Sequence, residues 1–216
     1  MRSAISQALA SGRAIGTLLV VFSLAATLAA LLLPVYLFDG NRTVAAARQG
    51  WLDDGGGIRS TKYGPLSSLD RDFVRKVRLA GLWELPAGRS AQERGGRASV
   101  RRAGNHLVDG HTELDRLAVK AGRALDIELG NQPTGKQRDW LEQIYEARGD
   151  EFDRRSVNLL RQAHGAVFTL VGLVRDQTRN SMVRALATRA NAVVLDHITV
   201  LEDTGLVDFD ALNDVN

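Results

Sequence analysis

The sequence predicts an all-α protein: an N-terminal transmembrane helix followed by an antiparallel four-helix bundle. Three observations carry that reading. An uncharged run covers residues 14–38, four long segments repeat apolar residues at steps of three and four, and no period-two strand pattern persists anywhere. Aromatic residues make up only 6% of the chain, which suits helices better than a β-sandwich.

The 25 residues from Ala14 to Phe38 would rise about 37 Å as a helix, enough to cross about 30 Å of hydrocarbon with some tilt. Tyr36 and Phe38 fall where an interfacial aromatic belt belongs, and Pro34 lies near the outer end, where a kink costs little. The alternative is a signal peptide cleaved on secretion. The run is longer than a signal core and is followed by VYLFDG rather than a small-x-small site, which favours an uncleaved anchor. Arg2 and Arg13 before the span are matched by Arg42 and Arg48 after it, so the positive-inside count is a tie. The short N-terminal piece favours residues 1–13 in the cytoplasm and the rest outside it. The expected location is a bacterial cytoplasmic membrane, crossed once, with the C-terminal domain extracytoplasmic. The many arginines, alanines and glycines suggest a GC-rich bacterial genome.

Residues 39–66 contain GGG at 55–57 and Gly64-Pro65 and show no sustained period, so they read as a flexible or extended linker. A short helical piece around Val44–Leu52 and docking of Trp51 and Tyr63 are allowed for. The bundle is expected over 67–204. Ser67-Ser68-Leu69-Asp70 resembles a capping box, and helices are expected at 68–94, 98–125, 135–177 with a break at Gly149-Asp150, and 181–203. Pro86 should kink or locally break the first. An acidic tail with Asp208, Asp210 and Asp214 closes the chain over 205–216.

Each helix has one core stripe, apolar but for a single residue. The stripes are Phe73, Val77, Ala80, Glu84, Ala87, Ala91; Leu107, His111, Leu114, Ala118, Ala121, Leu125; Val157, Leu160, His164, Val167, Val171, Val174; and Val183, Leu186, Ala190, Val193, His197, Val200. Rise arithmetic puts Glu84 roughly level with His111, and His164 with His197. The helix 2–3 connection leaves open whether the two pairs share one level. Burying such groups unsatisfied is costly. They therefore form either a metal-free hydrogen-bonded cluster or a site for one transition-metal ion, for which Zn, Fe, Cu and Ni suit the donors. Asp109 and Asp196 are candidates to orient the histidines from behind, or plain surface charges. A di-iron site needs Glu-x-x-His on two helices, but Val108, Arg161 and Val194 stand three residues before the core histidines. His106 lies off the stripe and is expected at the surface. The run Arg94, Arg97, Arg101 and Arg102 reads as a solvated end, or as a surface for lipid head groups or an acidic partner.

Composition removes other classes. The chain has no cysteine, which excludes disulfides, thiolate metal sites, iron–sulfur clusters and cysteine nucleophiles. The pI near 9.6 points to no nucleic acid, because the excess is N-terminal. Residues 1–66 hold 6 bases and 3 acids, whereas 67–216 hold 22 of each. There is no phosphate loop, no Gly-x-Ser-x-Gly elbow and no His-Glu-x-x-His. No catalytic residue and no small-molecule substrate are identified. A tethered, charge-balanced bundle without catalytic motif reads as a binding or accessory module, a subunit of a larger membrane complex. The alternative is an envelope metal-binding protein that uses Glu84, His111, His164 and His197.

The stretch from about Leu69 to Leu206 resembles the ferritin-like domain-of-unknown-function family 4142 of exported bacterial proteins. DFVRKVRLAGLWELPAGRSA, HLVDGHTELDRLA, FDRRSVNLLRQAH and LDHITVLE carry the resemblance. It implies a ferritin-like four-helix bundle with no established activity, and places the family's polar positions on Glu84, His111, Asp153, His164 and His197. The chain departs from the pattern at Gly110, which separates Asp109 from His111, at Pro86, and near Val193, where a proline is absent.

Overall fold

The computed structural model describes residues 20–24, 27 and 51–213. Residues 20–24 and 27 are helical, and the rest of the expected anchor, together with residues 1–13 and 39–50, lies outside the described residues. From residue 51 onward the chain forms α1 (Ser68–Arg94), α2 (Ala98–Leu125), α3 (Gly135–Glu146), α4 (Gly149–Gln177), α5 (Ser181–Glu202) and α6 (Phe209–Asn213). Among the described residues there is no strand, only an isolated bridge between Arg59 and Leu66.

Local signals set the helix ends. Ser67 and Asp70 form the expected capping box, with the Ser67 amide donating to Asp70 at 2.8 Å and the Asp70 amide to the Ser67 hydroxyl at 3.2 Å. Thr134 and Gln137 form a second one at α3, and the Asn180 side chain accepts from the amides of Met182 and Val183 at α5. Arg97 offers α2 no side-chain cap. The amides of Gly96 and Arg97 instead donate to the buried carboxylate of Asp153 on α4, at 2.9 and 3.0 Å. The third helical segment breaks into α3 and α4 at Ala147-Arg148, and Gly149 takes a positive φ of 55°. Pro86 does not break α1, which runs continuously from Ser68 to Arg94.

Side-chain pairs give the helix directions. Gly88 lies against Leu107 and Gly81 against Asp115, so α1 and α2 are antiparallel. The pairs Glu113–Arg189 and His106–Asp196 run α2 and α5 antiparallel. Arg161–Glu202 and Arg184–Arg175 do the same for α4 and α5, and Gly96–Asp153 with Glu84–His164 for α1 and α4. The four long helices thus close a ring in which α1 and α5 run one way and α2 and α4 the other. Residues 126–148, which carry α3, cross the length of the bundle and pack on α1 and α4. One long crossover is the connection of ferritin-like bundles. α4 is, among the described residues, the helix long and apolar enough to cross a membrane, with a third of its most apolar window buried.

Residues 51–66, read from sequence as the end of a loose linker, are tied to the bundle. Trp51 and Tyr63 pack on its core, and Asn180 and Ser181 bond Thr61, Gly64 and Tyr63. Buried Arg71 bonds Asp54 and donates to the carbonyls of Gly57 (3.0 Å) and Leu66 (3.2 Å). Gly64 has φ +102°, and a Cβ there would stand 2.6 Å from the Arg179 carbonyl, so this turn needs glycine. The start of the acidic tail is docked as well: Leu206 and Val207 pack on the core, and the Asp208 amide donates to Asn158 at 2.7 Å.

Of the 24 stripe residues, all are buried except Ala80 and Val167, which are half-buried. The core falls into two apolar clusters. One holds Phe73, Val77, Leu114, Val171 and Val193; the other holds Trp83, Ala87, Leu107, Leu160 and Val200. Between them lies a polar layer.

Candidate metal centre

The layer consists of Glu84, His111, His164 and His197, one residue from each long helix, all buried. The sequence left the relative height of the two pairs open, and the crossover brings them to one level. The contacts of Gly88 with Leu107 and Gly81 with Asp115 set Glu84 level with His111, about four residues further along α2 than the turn alone suggests. The three imidazole centroids lie 4.9 Å (His111–His197), 5.0 Å (His164–His197) and 5.5 Å (His111–His164) apart. One ring nitrogen from each falls within 4.8 Å of the other two. Glu84 Oε2 touches His111 Nε2 and stands 3.4 Å from His164 Nε2.

Backbone carbonyls fix two of the three tautomers. A carbonyl only accepts, so His164 Nδ1 carries the proton that reaches Leu160 O at 2.8 Å, and His197 Nε2 carries the one that reaches His106 O at 2.9 Å. In neutral imidazoles the other nitrogens, His164 Nε2 and His197 Nδ1, then hold lone pairs. These face each other at 2.9 Å, beside a carboxylate. His111 Nδ1 has no hydrogen-bond partner, and His111 Nε2 meets only the Glu84 carboxyl. Leu160 is reached by an ordinary i−4 step along α4, whereas the His106 carbonyl comes from α2.

Burial in two apolar layers penalises every charged form. It pulls His111 and His197 down to about 3 and His164 to about 4, with Glu84 beside His164 acting in the opposite direction. Burial also pushes the Glu84 carboxyl up to about 7, with His164 opposing the rise. At neutral pH the imidazoles are therefore uncharged and nucleophilic, the state a metal ion requires.

Of the two readings of Asp109 and Asp196, the geometry agrees with surface charges rather than with groups behind the core histidines. Asp196 bonds the ring of His106 at 2.8 Å, not a core histidine, and Asp109 is exposed and lines a cleft. His106 is half-exposed, off the core stripe as expected. Two members of the arginine run hold the α1–α2 end together. Arg94 donates to the Ala147 carbonyl at 2.6 Å and stacks over Phe152, and Arg101 donates to the carbonyls of Gly95 and Gly96. The backbone carbonyls that orient His164 and His197 have no side-chain signature, so sequence reasoning passed over them. The open face of Gly110 against His197 was visible only as a departure from the family pattern.

The family model of a domain of unknown function, DUF4142, matches residues 59–203. The chain belongs to this family. The match takes in all four long helices, the crossover and all four layer residues of the DUF4142 domain, and it begins at Arg59, inside residues 51–66, the strap tied to the bundle. No curated protein and no solved structure matches the chain.

Proposed function

We propose that this DUF4142 domain binds one transition-metal ion between His111, His164, His197 and Glu84. The observation that carries the reading is the 2.9 Å approach of His164 Nε2 and His197 Nδ1, both left as lone pairs in the neutral tautomers that their carbonyl partners select, beside the Glu84 carboxyl. Two acceptors that close repel, and a cation between them turns the repulsion into two bonds. Nitrogens bound to one tetrahedral ion at about 2.0–2.1 Å sit about 3.3 Å apart, so the rings need part only slightly. Donation of the outer N–H to a carbonyl is the usual way a ligating histidine is oriented. Three neutral imidazoles and one carboxylate suit a divalent ion such as Zn, Ni, Cu or Fe, and the single carboxylate does not suit a di-iron centre.

The apolar segment at 14–38 supports a second element: the domain works outside the cytoplasm, held to the membrane by an uncleaved anchor, as an accessory module of a membrane complex. Alkaline extraction of membranes tests the anchor, since release of the intact chain would overturn it.

The metal reading is tested on untagged protein stripped with chelator and dialysed against Zn(II), Co(II), Ni(II) or Cu(II). One equivalent of metal per chain is expected by elemental analysis, with tetrahedral Co(II) bands in the visible spectrum. H164A should lose both. Absence of stoichiometric metal from the folded protein with all four ions would overturn the proposal.

A further inference from the structure

The layer is closed on most sides, but a surface cleft of about 400 Å³ reaches one of its members. Its walls are His106, Asp109, Gly110 and Glu113 from α2, and Arg189, Ala192, Val193 and Asp196 from α5, with His197 at the bottom. His197 thus belongs to both the cleft and the histidine layer.

Gly110 makes this possible. A Cβ at position 110 would stand 2.7 Å from His197 Cε1 and 2.7 Å from Val193 Cγ1, far inside van der Waals contact. Any other residue would push the ring away or seal the cleft. The ring is also held from the cleft side, by the His106 carbonyl on Nε2. The charges around the mouth favour a cation. Asp109, Glu113 and Asp196 face one guanidinium, Arg189, and that guanidinium is neutralised by Glu113 at 2.6 and 2.9 Å. Clefts lined by one sign of charge raise the local concentration of the opposite ion.

We propose that metal ions enter and leave the histidine layer through this cleft over Gly110, with His197 as the gate between solvent and site. The inference rests on the metal-binding reading above and adds the route. The gate opens when His197 releases the His106 carbonyl and its ring swings outward past Gly110 toward the cleft. It closes when Nδ1 turns inward to the ion.

The absence of cysteine allows a direct test. Ala192, exposed on the cleft wall, is changed to Cys in the full chain, and the unique thiol is capped either with iodoacetamide or with a bulky maleimide. A124C, on the exposed face of α2 far from the layer, is treated the same way. Co(II) binding is followed by its visible bands in stopped flow, and release by competition with chelator. The bulky cap on A192C should slow both entry and release about tenfold or more and leave Kd unchanged, since an obstacle on the path affects both directions alike. Both forms of A124C should match the unaltered chain. D109N/D196N should slow entry several-fold at low salt, less at high salt. Equal rates for the two caps on A192C, with Co(II) bound, would overturn the route and leave the metal site standing. Absence of Co(II) binding in the unaltered chain would overturn both.

Discussion

Glu84 is the layer residue whose replacement separates stability from binding most sharply. Glu84→Gln keeps the shape and removes the charge. Burial raises the carboxyl from its ordinary 4.5 to about 7 in the folded apo-protein. A group whose folded pKa is raised contributes stability that is whole below its unfolded pKa and is lost as pH rises through the folded value. At about pH 5 the unfolded chain has gained little free energy by ionising this group, and the carboxyl costs under about 1 kcal/mol. Above about pH 7.5 the unfolded chain has gained the full advantage of ionising in water. The rise from 4.5 to about 7 is then worth about 3 kcal/mol against the fold. The apo form of E84Q should therefore be more stable than the unaltered chain at about pH 8, by up to about 3 kcal/mol, or about 6–12 °C in Tm for a domain of this size. The gain should shrink to about 2–3 °C at about pH 5. With one equivalent of Zn(II) the order should reverse, because the ion loses its anionic ligand. Melting curves of chelator-treated protein at the two pH values decide the matter. A destabilisation of the same size at both pH values would refute the reasoning, since it would mean that Glu84 is held as a partnered anion.

Other outcomes follow from the same geometry. Acid should unfold the apo-protein early: the three imidazoles are held below their ordinary 6.5, so the unfolded state takes up more protons as pH falls. Three histidines opposed by Glu84 give a net loss of at most about 2–3 kcal/mol per pH unit between about pH 6.5 and 4.5, read by melting or urea titration at fixed pH. D153A strips the amides of Gly96 and Arg97 of their acceptor and should cost about 1–3 kcal/mol, while D153N, which keeps one acceptor oxygen, should recover part of the loss in the same melts. R71A should free the strap: limited proteolysis should cut between 51 and 66 in the variant and not in the parent, with a stability loss of about 2 kcal/mol or more. Zn(II) at a hundredfold excess over Kd should raise stability by about 3 kcal/mol, a gain absent in H164A.

Much of this arrangement can be read from helical periodicity, and the parts that cannot have definite physical reasons. Helix periodicity reports which face of each helix is buried. It therefore identified His111, His164 and His197 one helix at a time, each as the one polar residue in an apolar stripe. Periodicity says nothing about height between helices that are not joined by a short turn. α2 and α4 are joined by a crossover of more than twenty residues, and only packing sets the register that puts His111 level with His164. For a related reason the sequence shows little of how residues 51–66 are tied down, beyond the docking of Trp51 and Tyr63 that it allows for. Residues 51–66 have no period because they are neither helix nor strand, yet Asp54 and Arg71 tie them down through contacts 17 residues apart in sequence. The glycines at 55–57 suggested looseness, whereas they let the chain turn tightly around a buried guanidinium. Asp109 and Asp196 were placed by adjacency to the core histidines, but neighbouring residues on a helix point about 100° apart. Asp196 accordingly faces outward to His106 while His197 faces the core.

An otherwise apolar core contains this layer at a cost in stability. A carboxyl and three imidazoles fully removed from water weaken the apo fold, and apolar residues of similar size would be neutral or better for stability. A purely structural cluster would answer that cost with complete hydrogen bonding, as Asp153 does by accepting from two amides on one side of the bundle. The layer is not built that way. His111 Nδ1 has no hydrogen-bond partner and its Nε2 meets only the Glu84 carboxyl, while His164 and His197 direct lone pairs at each other with their protons committed to carbonyls behind them. His164 and His197 are bonded on their outer nitrogens and not on their inner ones, the pattern expected when the missing partner is a cation at the centre. The cleft over Gly110 then has a use that a sealed structural cluster would not need: it connects that centre to solvent through the single ring of His197.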